Sequence, residues 1–397
     1  MLMAFKKIKK DVFFVGAIDW DRELFDELIP LNEGTSYNSY LVRGDEKVAL
    51  IDTVEPSKTE TLLENLKNLK VDRIDYLISQ HAEQDHSGSI PKILELYPMA
   101  KVVTNSKCKE FLKELLLIDE NKFITVNDGE ELSLGNKTLK FILTPWVHWP
   151  ETMSTYLEED KIIFTCDFFG SHVASSELFV GENKDRVIEG AKRYYAEIMM
   201  PFRSSIRSNL KKIENLEIEM IAPSHGQIYD DPQIIKSAYE EWISDDVKNK
   251  VMIPYLSMHG STEKMVERLV NDLISLDITV EPFNVVKMDI GRLAISLIDT
   301  ATIVVATPTM LVGVNPAIAY SAYLVNALRP KTKFISFINS YSWGGQAIEQ
   351  MKGMLSSVKA EIIDPVVVNG YPKENDLKAI DDLAQRILLK HRSIGIA

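Results

Sequence analysis

Cysteine is nearly absent: Cys108 and Cys166 are the only two in 397 residues. Two thiols build no disulfide framework, no CxxC pair and no four-thiolate iron cluster. Long apolar runs are missing as well, and no stretch approaches the roughly 18 uncharged residues of a membrane span. Basic clusters are scarce, with 45 Lys plus Arg against 58 Asp plus Glu and a net charge of −13. A binder of phosphate backbones needs clustered positive charge, so nucleic acid is not expected as a partner. Lys6, Lys7, Lys9 and Lys10 precede a short apolar run, but Asp19, Asp21 and Arg22 follow at once without a small-residue cleavage site. No signal peptide is therefore expected, and the location expected is cytoplasmic, away from the membrane. What is present is ordinary for a globular protein: 45% apolar and 26% charged residues. At roughly 100–200 residues per domain, two domains is the simplest reading.

The first 248 residues alternate short β-rich runs with polar turns and a few helices. The runs are 37–42, 48–51, 76–79, 139–143 and 162–165; helical patterns occupy 58–69, 90–96 and 108–116. This mixture predicts an α+β sandwich with sheets inside and helices outside. The polar segment 244–250 changes the rhythm. Apolar strands at 251–257, 302–307, 334–339 and 360–368 then alternate with helical stretches, which predicts an α/β domain on an open parallel sheet. The expected domains are 1–248 and 249–397.

The densest chemistry lies in Gln80-His81-Ala82-Glu83-Gln84-Asp85-His86-Ser87-Gly88, between an apolar strand and a helix. Four metal-ligand side chains fall within six residues, and an extended backbone would put His81, Glu83 and Asp85 on one side. Such a run can serve two metals. Taken singly, each residue fits a solvated acidic loop. The cluster is followed, however, by His148, Asp167 and His225, each just after an apolar strand. A lone histidine of this kind is more often a satisfied core residue; three ligand types in order behind the cluster are harder to explain so.

This order and spacing resemble the metallo-β-lactamase fold over about the first 240 residues. That family's hydrolases usually carry His-x-His-x-Asp-His and bind zinc, whereas Glu83 here replaces the second histidine. Four imidazoles and three carboxylates with open positions suit non-haem iron better than four-coordinate zinc.

In the second part, Ser257-Met258-His259-Gly260-Ser261-Thr262 leads from a strand into a helix, offering hydroxyls and backbone N–H groups to an anion. It lacks the Gly-Lys-Ser/Thr ending of a Walker A loop. Two later loops leave strand ends: 307–316, with Pro308, Thr309, Met310, Val312 and Val314, and 340–346, with Ser340, Tyr341, Ser342, Trp343, Gly344 and Gly345. In a doubly wound sheet such loops meet at the ligand crevice. Together they resemble the flavodoxin fold, which implies FMN, its phosphate on the first loop (Gly260, Ser261 and Thr262) and its ring on the other two. His259 is expected beside the ring or at a dimer contact.

A metallo-β-lactamase-like αββα sandwich carrying the Glu83 variant and followed by a flavodoxin-like domain resembles the flavodiiron proteins. The resemblance covers nearly the whole chain. It implies one iron on His81, Glu83 and His148, a second on Asp85, His86 and His225, and Asp167 bridging them. His172 and Tyr195 are implied as groups that hydrogen-bond to the bound gas. The implied activity is reduction of dioxygen to water, with reduction of nitric oxide to nitrous oxide as the alternative. An external electron donor is implied, rubredoxin or a reduced deazaflavin coenzyme, because no rubredoxin-like or flavin-reductase extension is visible. So is a head-to-tail homodimer, which could pair further into a dimer of dimers. Many relatives carry Asn where this chain has Leu311 and Val312. Two rival functions follow from the same residues: a zinc-dependent hydrolase with an accessory domain, and an electron-transfer flavoprotein whose metal site is only structural.

Overall fold

The computed structural model describes residues 5–287 and 289–397. It divides into two compact units, Met1–Tyr195 with Phe202–Ile243, and Ala196–Pro201 with Ser244–Ala397.

In the first unit, seven strands form one sheet in the spatial order Lys6–Lys9, Val12–Phe14, Tyr40–Arg43, Val48–Ile51, Tyr76–Ile78, Lys101–Thr104, Phe123–Thr125. Five form a second: Glu131–Ser133, Thr138–Leu143, Met153–Leu157, Ile162–Cys166 and Met220–Pro223. Strand alternation decides which side chain goes where. Tyr40, Val42, Ala49, Ile51, Ile78 and Val103 point between the sheets and meet Leu139, Phe141, Met153, Leu157, Ile162 and Phe164. Their neighbours Leu41, Leu50, Leu77 and Val102 face the other way, onto Leu62, Leu66, Ile90, Ile93 and Leu112 of the helices Thr59–Asn68, Ile90–Leu96 and Ser106–Leu116. Three further helices, Lys184–Tyr194, Arg203–Ile213 and Pro232–Ile243, pack on one another and bury Val187, Ile206, Ile235 and Tyr239. This is the αββα sandwich expected from the sequence.

The expected strand at 37–42 is two strands, Thr35–Tyr37 and Tyr40–Arg43. The break has a cause. Asn38 turns away to donate its backbone N–H to Ser224 O at 2.8 Å and its side-chain amide to Pro223 O and Gly226 O at 2.7 and 2.8 Å.

The second unit is an open sheet in the order Thr279–Asn284, Lys248–Tyr255, Thr300–Met310, Phe334–Tyr341, then the short Glu361–Ile362 and Val366–Asn369, with every one of these pairings parallel. The edge strand Thr279–Asn284 carries no strong apolar run and went unread in the sequence. The run at 360–368 is interrupted near Pro365, which has no N–H to give a ladder. Helices Ser261–Ser275 and Glu374–Ser393 bury Met265, Leu269, Ile380, Leu383 and Ile387 against Val251, Ile253, Val304 and Ile338. Crossing from the second strand position back to the first, then outward, is the flavodoxin-like order and creates one crevice at the strand C-termini. No helix among the described residues is long and apolar enough to cross a membrane.

His391 is buried in this unit, where Nε2 lies 2.7 Å from Thr302 Oγ1 and Nδ1 2.7 Å from Asn249 Oδ1. Burial lowers its pKa from 6.5 to about 4. The unfolded chain therefore takes up a proton near pH 6.5 that the folded one refuses until about pH 4, so stability rises with pH across that window. Denaturant unfolding of the wild type should weaken between pH 6.5 and 4, and His391→Gln should flatten the dependence. An unchanged slope would show that His391 titrates normally.

Candidate metal centre and cofactor cleft

The ligand-type residues sit where strands end on one rim of the sandwich. His81 follows Tyr76–Ile78, His148 follows Thr138–Leu143, Asp167 directly follows Ile162–Cys166, and His225 follows Met220–Pro223. An extended loop holding His81, Glu83 and Asp85 on one side is not what forms. Residues Gln84–Ser87 wind into a helical turn, with Glu83 at its start. That turn separates the carboxylates: Glu83 stays with His81, and Asp85 swings to His86 and His225.

Two clusters result, sharing Asp167. In the first, Glu83 Oε2 lies 3.0 Å from His81 Nε2 and 3.1 Å from His148 Nε2, and Asp167 Oδ2 lies 3.4 Å from both nitrogens. In the second, Asp85 lies 3.3 Å from His86 Nε2 and 3.1 Å from His225 Nε2, while Asp167 Oδ1 approaches the same nitrogens at 2.9 and 3.3 Å. All seven sequence-predicted ligands are thus brought together. Both oxygens of Asp85 and of Asp167, and Nε2 of His86, His148 and His225, are buried without a hydrogen-bond partner. Buried polar atoms are almost always satisfied, so nitrogens and oxygens that crowd to ion-pair distance without bonding one another aim at shared points between them. The donor set fits two cations of the hard-oxygen and imidazole type.

Electrostatics agree. Burial opposes charge on His148 and His225, yet the facing carboxylates, Asp167 with Glu83 and with Asp85 respectively, raise their pKa values to about 9 and about 10. Burial likewise opposes the ionised Asp167, whose carboxyl is nonetheless held well below its usual range by His86 and the other imidazoles. Protons here compensate carboxylates that metal cations would otherwise neutralise.

Several supporting groups gave no sequence signal. Glu151 Oε1 accepts from His81 Nδ1 at 2.7 Å and from Ala82 N–H at 3.1 Å. Ser36 O accepts from His225 Nδ1 at 2.7 Å. Both bonds leave Nε2 as the free lone pair toward the cluster. Asp52 ties the loops together, accepting from Gln80 N–H and Gln80 Nε2 at 2.8 Å and from Ser224 Oγ at 3.2 Å. Glu151 sits just before Met153–Leu157, the antiparallel strand whose start shares the ligand rim; only pairing in the sheet reveals it.

His172 joins the site: its ring lies 4.9 Å from that of His225, Nδ1 is 2.8 Å from Thr35 Oγ1, and Nε2 is buried without a partner. Burial, then His225, pushes its pKa well below 6.5, so the ring is neutral. Tyr195 does not join it. Its hydroxyl donates to Trp242 O at 3.3 Å and its ring packs on Tyr239 and Trp242. Tyr194 takes the place instead, 4.8 Å from the His172 ring, buried beside Asp167. One residue along a helix turns a side chain by about 100°, enough to exchange the inward and outward tyrosines. A cavity of about 370 Å³, lined by Glu83, Asp85, Asp26, Glu55, Arg22 and Trp149 among others, opens onto the ligands.

In the second unit, a cleft of about 240 Å³ lies at the strand C-termini. His259, Ser261, Thr262, Pro308, Thr309, Ser340, Tyr341 and Ser342 line it, as read from the sequence, joined by Gly370 and Tyr371 from a fourth loop after Val366–Asn369. Helix Ser261–Ser275 points its start into the cleft behind Gly260, whose φ of +85° is a glycine conformation and which supplies no side-chain cap. Its first N–H groups and the hydroxyls of Ser257, Ser261 and Thr262 fit a phosphate. Met310, Val312, Val314, Trp343, Gly344 and Gly345 do not line the cleft. Strand Thr300–Met310 runs on into a small hairpin with Gly313–Val314, carrying Leu311 and Val312 outward, and Gln346 N–H donates to Val312 O at 3.2 Å. Residues 343–345 therefore flank the hairpin tip, with Trp343 68% exposed.

Comparison with known proteins agrees with this geometry. The family model described as "ODP family beta lactamase" matches residues 35–226. The chain is 34% identical to a nitric oxide reductase of Moorella thermoacetica, over 96% of this chain and 97% of that one. Rubredoxin oxygen:oxidoreductase from Desulfovibrio gigas superposes with a TM-score of 0.93 at 29% identity, covering 98% and 99%. The flavodiiron protein from Giardia intestinalis does so at 0.90 and 27%, covering 99% of each. A dinuclear ligand set on a β-lactamase-like sandwich and an anion-binding cleft on a flavodoxin-like sheet, matched end to end, place this chain in the flavodiiron protein family of oxidoreductases.

Proposed function

We propose that this protein reduces dioxygen to water, taking electrons from an external donor through FMN to two non-haem irons. The observation that carries this reading is Asp167, whose two oxygens face one triad each: His81, Glu83, His148 and Asp85, His86, His225. When bound, two ferrous ions supply two electrons to a diatomic gas together, and FMN supplies the rest. The chain's own residues do the remaining work. Asp167 holds the two metal positions at a fixed separation and offsets their charge. Glu151 and Ser36 lock His81 and His225 in the tautomer that leaves Nε2 free. Thr35 Oγ1 lies 2.8 Å from His172 Nδ1, and in the tautomer in which that hydroxyl donates, the proton sits on His172 Nε2, which is buried without a partner beside the Tyr194 ring. These two groups are positioned to donate hydrogen bonds to oxygen at the centre.

In the second unit, the helix start at Ser261 would take the FMN phosphate, and Tyr341 with Tyr371 would border the ring. The exposed Leu311, Trp343 and Tyr371 around this cleft support a head-to-tail homodimer, in which that surface is covered by a second copy. We place the domain boundary within 244–247, ahead of the strand Lys248–Tyr255 and just before the expected division at 248/249. Nitric oxide reduction is the second reading, favoured by the similarity to the Moorella enzyme. A rubredoxin or a reduced deazaflavin coenzyme is the donor proposed.

The deciding experiment counts iron, zinc and FMN in the purified protein, reduces it anaerobically and offers each gas in turn. About two irons and one FMN per chain, with fast oxidation by dioxygen, is the expected result. Faster turnover of nitric oxide would move the assignment to the second reading. Zinc with a slowly reoxidising flavin would replace both with a hydrolase or a simple electron carrier.

Three substitutions test the parts. Asp167→Ala should lose metal affinity by roughly tenfold or more while keeping FMN, read by iron content against flavin absorbance; wild-type gas consumption in it would sink the dinuclear assignment. Gly260→Val forces a β-branched residue into φ +85° and should lower FMN retention; unchanged flavin stoichiometry would move the phosphate elsewhere. Tyr194→Phe should slow turnover on the order of 10²-fold where Tyr195→Phe leaves it within a few-fold, and equal effects would reject the inward role of Tyr194.

A further inference from the structure

An oxidisable side chain that touches two of the candidate metal ligands has no part in the mechanism above. The Trp149 ring meets His81 edge-on at 5.0 Å and His148 at 6.3 Å, so one indole contacts two ligands of the same cluster. It also lines the cavity that opens onto Glu83 and Asp85. Three residues earlier, Trp146 is 47% exposed and stacked on Phe202 at 5.9 Å, with Lys107 Nζ 6.0 Å from its centroid. Trp146 N–H donates to Trp149 O at 2.7 Å, closing both indoles into one tight turn. On the opposite side of the centre the aromatic neighbour is different. Tyr194 is fully buried, with no route of its own to solvent. Tyr37, edge-on to His225 at 5.9 Å, is buried too, so among the described residues it is the indole pair that leads from a ligand toward the surface.

We propose that Trp149 is a one-electron reserve for the metal centre and that Trp146 connects it to the surface. The proposal rests on the dioxygen-reductase reading. Four electrons and four protons turn dioxygen into two waters; two irons hold two electrons, and an exhausted flavin cannot add the others. In that shortfall Trp149 gives one electron to dioxygen that has received fewer than four, and its Nε1 proton passes to the water of the cavity. The oxygen gains that electron and takes one proton from the same water. Trp146 then returns an electron to Trp149, which recovers its proton from the cavity, and Trp146 releases its own Nε1 proton to bulk solvent. The external one-electron donor finally reduces Trp146, which takes a proton back. The net change is one electron and one proton delivered from outside by a path that bypasses the flavin. Indole is oxidised more readily than imidazole, so the reserve also spares the ligand histidines.

The test uses the iron- and FMN-loaded protein, reduced to two electrons per chain and mixed with excess dioxygen, then frozen on the millisecond scale. Electron paramagnetic resonance should show a protein radical whose hyperfine pattern narrows when ring-deuterated tryptophan is incorporated. Trp149→Phe, with iron content measured alongside, should lose that signal at least fivefold. It should also show more oxidised His81 and His148 by peptide mass spectrometry after repeated electron-poor cycles. Trp146→Phe should keep the signal but lengthen its decay. A radical of equal yield in Trp149→Phe, a tyrosyl pattern abolished by Tyr194→Phe, or no radical in a wild type that consumes dioxygen would each overturn the reserve. A wild type with full iron that consumes no dioxygen would instead overturn the function beneath it.

Discussion

The carboxylate of Asp167 is the interaction on which the first unit turns. Its two oxygens face opposite ways, each toward a pair of imidazole nitrogens within 3.4 Å, and the residue itself is fully buried. Three carboxylates and four imidazoles gathered there would repel or trap protons unless cations took their place, so the protein must hold them against their own electrostatics. That cost explains the density of hydrogen bonds behind the ligands. Glu151, Ser36, Asn38 and Asp52 each bind two or more loops, and none of them faces a metal position.

The sandwich supplies the rigidity those bonds need. Strands from both sheets end on one rim, and each delivers a ligand within a few residues of its last ladder bond. A ligand so close to a packed strand has little freedom left, because the inter-sheet core of Phe141, Phe164 and Ile51 is fully buried and close-packed. The second unit applies the same rule with a parallel sheet, where loops at the strand C-termini form a crevice and a helix start offers N–H groups to an anion. Stable frames with chemistry on their rims are what the two units share.

Much of this was legible before any coordinates. Ligand-type side chains cluster in type and follow apolar strands, so the set from His81 to His225 that the structure brings together could be read from residue identity and order. Strand 48–51 and helix 90–96 form at the bounds their patterns suggest, since apolar runs and helical periodicity are local properties. The failures were non-local. Tyr194 and Tyr195 are indistinguishable by composition, and only the course of the helix decides which turns inward. The extended reading of the loop at 81–86 missed a helical turn whose benefit is to split Glu83 from Asp85.

By itself, then, the sequence determined the two architectures, a set of seven candidate ligands and a helix start that offers N–H groups, because periodicity and side-chain chemistry are written residue by residue. Tertiary structure decided which ligands share a cluster, which loops line the cleft and which residues hold the ligands in place. Those depend on strands far apart in the chain lying side by side, as Glu151 comes to His81 and Ser36 to His225. No local pattern encodes a contact between residues nearly two hundred positions apart.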